Sequence, residues 1–143
     1  MDTELSARRR AIRSLLDDAR VIAVVGISSK PWRPSHGVAA YLQESGYRIV
    51  PVNPHETEVL GERAYASLPE VPEEIAVDVV DVFRRAEQTP EVAEQAVARG
   101  AKVLWLQEGI VNEDAASIAM AGKLDVIMGI CMRHVREVLM GGS

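Results

Sequence analysis

Only one cysteine, Cys131, stands in the chain, so no intrachain disulfide can form and a reducing compartment, the cytoplasm, is expected. No run of eighteen apolar residues occurs, and the stretch from Met1 to Arg20 is charged throughout. Neither a membrane-spanning helix nor a secretion signal is therefore predicted. Positive charge is also scarce. Against 21 Asp and Glu there are 16 Lys and Arg, a formal net charge of -5. That balance argues against a nucleic-acid binder, because affinity for a phosphate backbone needs a basic face. Repeats, low-complexity tracts and linker-like segments are missing too, so residues 1–143 read as one domain with one core. A last absence is local. The run VIAVVG (21–26) ends in Gly26, but the next glycine is Gly37, so the turn has no G-x-G-x-x-G.

What is present is an alternation of apolar strands and helices. Leu5, Ile12, Leu15, Leu16 and Ala19 recur at helical spacing, predicting an amphipathic helix over 5–19. VIAVVG is a first strand, buried on both faces. The next helix runs from Ser35, its expected N-cap, to Gly46. YRIVPVNP (47–54) is a second strand and VDVVDVF (77–83) a third, with a short element expected between Val59 and Leu68. TPEVAEQAVARG (89–100) is a helix capped by Thr89, started by Pro90 and ended by Gly100. KVLWLQ (102–107) is a fourth strand. A helix over 112–122 follows, with Asn112 as cap and two acids at its positive end. KLDVIMGI is a fifth strand, and a final helix covers Met132 to Met140. The pattern predicts an α/β fold: a five-stranded, mainly parallel sheet with helices on both faces and strand order 3-2-1-4-5. Ligands of such sheets bind beyond the carboxyl ends of the strands, here expected between strands 1 and 4.

The segments that follow the strands are basic in an acidic chain: Lys30, Arg33, Arg84, Arg85 and Arg133. With the backbone N–H groups after Gly26 and at the next helix start, they predict an anionic ligand, a phosphate ester. NAD is disfavoured by the absent glycines. It is disfavoured again by Val52-Asn53-Pro54, where an acid for the ribose hydroxyls would be expected. A neutral Asn and a φ-locked Pro suit a purine edge, or a ribose that carries its own phosphate.

The segments GISSKPWRPS, PVNP, VDVFRR and WLQEGIVN, in this order between about Val21 and Cys131, resemble the small stand-alone CoA-binding proteins of bacteria and archaea. These are similar to the N-terminal domain of the succinyl-CoA synthetase α subunit. The resemblance implies a three-layer Rossmann-like fold with coenzyme A over the strand ends. By position it implies that Gly26, Ile27 and Ser28 form the phosphate turn, and that Lys30, Arg33 and Ser35 contact the pyrophosphate or 3′-phosphate. Val52, Asn53 and Pro54 would hold the adenosine, with Phe83 and Arg84 as the next wall. Gln107, Glu108 and Gly109 match the segment that faces the catalytic centre of the synthetase. Ser29 and His36 complete the cofactor-binding set. One departure is that Gly129-Ile130 stands where relatives commonly carry Asp-Arg before the cysteine.

No catalytic set emerges. His36, His55 and His134 lack metal-site spacing, so no metal is predicted, and His55 reads as solvated. Cys131 reads either as a small buried hydrophobe or as a thiol that exchanges with CoA, aided by Arg133. Glu108 is a lone carboxylate without base or nucleophile. Trp105 reads as core and Trp32 as a loop residue able to cover a ligand, while Arg8, Arg9 and Arg10 read as a solvated helix face. The expectation is a module binding CoA, an acyl-CoA or a CoA disulfide, with no nucleic acid or membrane partner. An enzyme acting on an acyl-CoA thioester or an NAD(P)-type nucleotide is a second reading. A CoA- or redox-responsive regulator is a third, and a protein partner or homodimer stays open.

Overall fold

A computed structural model describes residues 3–140. Helix α1 spans Thr3–Asp18 and is followed by β1 (Val21–Val25), α2 (Pro34–Glu44) and β2 (Arg48–Val52). A small antiparallel hairpin, β3 (Glu58–Val59) with β4 (Glu62–Arg63), leads through a 3₁₀ turn at Leu68–Glu70 to β5 (Val79–Val82). A second 3₁₀ turn (Ala86–Gln88) enters α3 (Thr89–Arg99). Then come β6 (Val103–Leu106), α4 (Glu113–Ala121), β7 (Asp125–Met128) and α5 (Met132–Leu139). Among the described residues no helix is long and apolar enough to cross a membrane.

Five of the strands form one all-parallel sheet, and successive strand residues feed opposite cores, as a two-residue period demands. Ala23, Val25, Val80, Val82, Leu104 and Leu106 pack with Val92 and Ala96 of α3 and Ala115 of α4. Ile22, Val24, Val79, Val103 and Trp105 pack with Leu16 of α1, Leu42 of α2 and Met132 of α5. The expected α/β sheet with helices on both faces is thus present. Trp105 is core, 1% exposed, with its indole N–H donating to the Ile130 carbonyl at 2.8 Å.

The order along the sheet is β2-β1-β5-β6-β7, so the third long strand is not at the outer edge as expected but sits against β1, Val24 opposite Asp81. Pro51 gives the physical reason. Proline cannot donate to a ladder and belongs on an edge strand. β2 is such an edge, and the Pro51 carbonyl accepts from the Tyr65 N–H of the chain that follows it at 3.0 Å. All four residues of β5, by contrast, are buried, as a central strand requires. The point where strand order reverses therefore lies between β1 and β5, not between the first and fourth strands.

Two expected caps are also corrected. Pro34 takes the first turn of α2 and Arg33 the cap position, while the Ser35 hydroxyl accepts from the Ser28 N–H at 3.0 Å. Thr89 is drawn into helical conformation by the 3₁₀ turn before it, and its hydroxyl donates to the Ala86 carbonyl at 2.6 Å. Asn112 does cap α4, accepting from the Ala115 N–H at 2.9 Å, and Glu113 and Asp114 occupy that helix's first turn. Gly100 ends α3 in the left-handed region.

Candidate functional site

The carboxyl ends of β1, β2 and β5 meet at Gly26. Its N–H donates to the Val52 carbonyl at 2.8 Å, and the Phe83 N–H donates to the Val25 carbonyl at 2.8 Å. Gly26 has φ +91, and a Cβ there would lie 2.8 Å from the Phe83 carbonyl oxygen. Backbone approach this close, in the left-handed region, accepts only glycine. Here a single glycine makes the turn for which a dinucleotide fold uses several.

After Gly26 the loop is held by its own polar groups. The Ser28 hydroxyl accepts from the Lys30 N–H at 3.1 Å, and the Lys30 carbonyl accepts from the Arg33 N–H at 3.0 Å. Asn53 clamps the loop from the neighbouring strand. Its amide donates to the Ile27 carbonyl at 2.7 Å, and its oxygen accepts from the His55 N–H at 2.9 Å. The Asn53 side chain is thus spent on backbone. Across the loop, Glu56 reaches over and accepts from the Ser29 N–H at 2.8 Å.

A cleft of ≈ 650 Å³ opens between this loop and the 53–56 segment. Of the residues expected in the site, it gathers Gly26, Ser28, Ser29, Lys30, Arg33, Ser35, Asn53 and Phe83. His55, expected to be merely solvated, is exposed but also lines this cleft, opposite Lys30 and Arg33. A second cavity of ≈ 240 Å³ lies on the other side of the sheet edge, lined by Val52, Pro54 and Arg84 with Leu68 and Gln88. The Nε of Arg84 is buried and finds no hydrogen-bond partner among the described residues. A third cavity of ≈ 340 Å³ holds Gln107, Glu108 and Cys131, and shares Pro34 and Phe83 with the first.

Three of the expected residues stand apart. Ile27 is fully buried in the core and contributes only its carbonyl. His36 lies half-buried on the first turn of α2, and Gly109 forms a left-handed turn, both outside these cavities. Arg133, expected to aid Cys131, has partners on its own side of the fold. It pairs with Glu137 at 3.6 Å and lies over the Tyr41 ring at 5.0 Å. Trp32 is 75% exposed in the loop and lines none of these cavities. Arg8, Arg9 and Arg10 are exposed along α1.

Sequence reasoning missed two carboxylates. Glu56 came from a segment without periodicity and carried no signal. Asp81 did carry one, as an acid set between valines inside the strand. It is 0% exposed, accepts a hydrogen bond from the Gln107 amide and leaves its other oxygen unpartnered among the described residues. Burial pushes its carboxyl up to about 7, with the Gln107 hydrogen bond pulling the other way.

Solved and curated proteins are similar to this chain in fold or in sequence. A hypothetical protein from Pyrococcus horikoshii OT3 superposes with a TM-score of 0.89 at 39% identity, over 93% of this chain and 92% of its own. The uncharacterized protein YneT of Bacillus subtilis (strain 168) is 44% identical over 127 residues, covering 89% of this chain and 93% of that protein. The α subunit of the ADP-forming acetate–CoA ligase II of Pyrococcus furiosus is 39% identical over 67 residues, 46% of this chain but only 15% of that subunit. With the family model described as a CoA binding domain spanning residues 20–136, from just before β1 into α5, the chain belongs to the CoA-binding domain family.

Proposed function

We propose that this chain binds coenzyme A across the carboxyl edge of its sheet. Lys30 and Arg33 with the Gly26–Ser29 turn would hold the phosphates. Val52, Pro54 and Arg84 would receive the adenosine end, and the thiol end would run past Phe83 toward Gln107. The observation that carries this reading is Glu56. A carboxylate of the chain itself accepts the Ser29 N–H inside a cleft that also holds Lys30 and Arg33. Such a loop is built to accept an anion, and a phosphate oxygen can take the place of that carboxylate. The buried, unpartnered Arg84 Nε adds a donor for an acceptor the chain does not supply.

Asn53 speaks against NAD. At the place where an acid would grip a ribose diol stands a neutral amide already committed to the backbone. Calorimetric titration with CoA, dephospho-CoA, NAD and ATP tests the reading. CoA should bind most tightly, dephospho-CoA more weakly, and Arg33→Ala should weaken CoA about tenfold, as loss of a charged hydrogen bond implies. Equal affinity for NAD and CoA, or no response to CoA, would refute it.

A further inference from the structure

Beside the basic cleft lies a cavity of opposite character. Pro34 and Phe83 line both, so the two are contiguous along the sheet edge. The neighbouring cavity, ≈ 340 Å³, is walled by Val38, Phe83, Ile110 and Cys131, and its lining contains no lysine or arginine. Its volume stands at the small end of ligand pockets. Its one amide, Gln107, is engaged at both ends: Nε2 donates to Asp81, and Oε1 accepts from the Met132 N–H at 3.4 Å. The remaining polar side chain is Glu108, which is exposed. An anion entering here would meet a carboxylate and no cation. An uncharged apolar group would leave water for an apolar wall, with no polar group left unpaired.

We infer that this cavity receives the acyl group of an acyl-CoA whose acyl chain is short and uncharged, and that Glu108 rejects acyl groups ending in a carboxylate. The inference rests on CoA occupying the adjoining basic cleft. Val38 and Ile110 supply the wall against which methylenes are buried, and Glu108 sets selectivity by charge.

Titration of the full chain with CoA, acetyl-CoA, butyryl-CoA and succinyl-CoA tests it. Each buried methylene should tighten binding about fourfold, so butyryl-CoA, longer by two methylenes, should exceed acetyl-CoA by about fifteenfold. Succinyl-CoA should bind more weakly than butyryl-CoA, and Glu108→Gln, a change at an exposed position, should narrow that gap. As a readout independent of affinity, butyryl-CoA should slow alkylation of Cys131 more than acetyl-CoA does at equal occupancy. Equal affinity for CoA and butyryl-CoA, or tightest binding of succinyl-CoA, overturns the inference and leaves CoA binding standing. Failure of all four to bind overturns both.

Discussion

Asp81 occupies the middle of the sheet at 0% exposure, and its carboxyl titrates near 7 because burial disfavours the charged form, opposed by the Gln107 hydrogen bond. The unfolded chain releases this proton near 3.8. Between those values the folded state holds more protons than the unfolded one, so this group makes stability fall as pH rises from about 4 to about 7. Asp81→Asn keeps the shape of the neutral acid and removes the titration. In urea unfolding at pH 4.5 and 8, the variant should gain on the parent as pH rises; parallel behaviour would contradict the assignment. Asp78 has the opposite sign. Burial raises its carboxyl, but the Val21 and Arg20 N–H groups and Lys102 outweigh this and hold it below 3.8. Its contribution is present above that value and disappears as pH falls through the lowered one. At the cleft, Glu56 accepts the Ser29 N–H, and on the proposed reading it would compete there with the incoming phosphate. Glu56→Gln keeps a hydrogen-bonding group there and removes a negative charge. CoA should then bind about threefold tighter, the scale of one partly solvated charge, and weaker binding by calorimetry would assign Glu56 a supporting role instead.

At the scale of elements, α5 is tied to its neighbours by apolar packing and by one polar side chain. Arg136 donates from Nε to the Tyr47 hydroxyl and from Nη1 to the Tyr41 hydroxyl and Ser45 Oγ, each at 3.2 Å. The Tyr47 hydroxyl in turn donates to the Leu16 carbonyl at 2.6 Å, so α1, α2 and α5 share one polar knot. Arg136→Ala should cost about 2 kcal/mol and speed amide exchange in α5 while the sheet amides stay protected. Unchanged exchange in α5 would show that apolar packing alone holds it. The helices themselves were legible from their apolar spacing, and the Asn112 cap from its residue type and place. Ser35 and Thr89 misled because side chains that suit a cap also suit a loop, and tertiary contacts decided between the two. No local pattern announces that Ser28 will fold back onto Ser35.

For the whole molecule, alternating strand and helix patterns made the layered sheet legible, and they left its order open. The irregular stretch between β2 and β5 contains no α-helix to dictate a crossover, so position along the chain said little about β5. Pro51 and the complete burial of β5 held the answer, the first marking an edge and the second a centre. The candidate site was legible where it follows a strand, at Gly26, Lys30, Arg33 and Phe83. It was hidden where it comes from irregular chain, at His55 and Glu56, or from a fully buried acid, at Asp81. On the proposed reading, the basic cleft, the cavity beside Arg84 and the apolar cavity would hold one extended ligand, anionic in the middle and apolar at its end. Native mass spectrometry of the protein mixed with equimolar CoA and NAD tests that claim most directly. A single adduct of CoA mass, diminished by Arg33→Ala, is the predicted result, whereas an NAD adduct of equal abundance, or no CoA adduct, would contradict it.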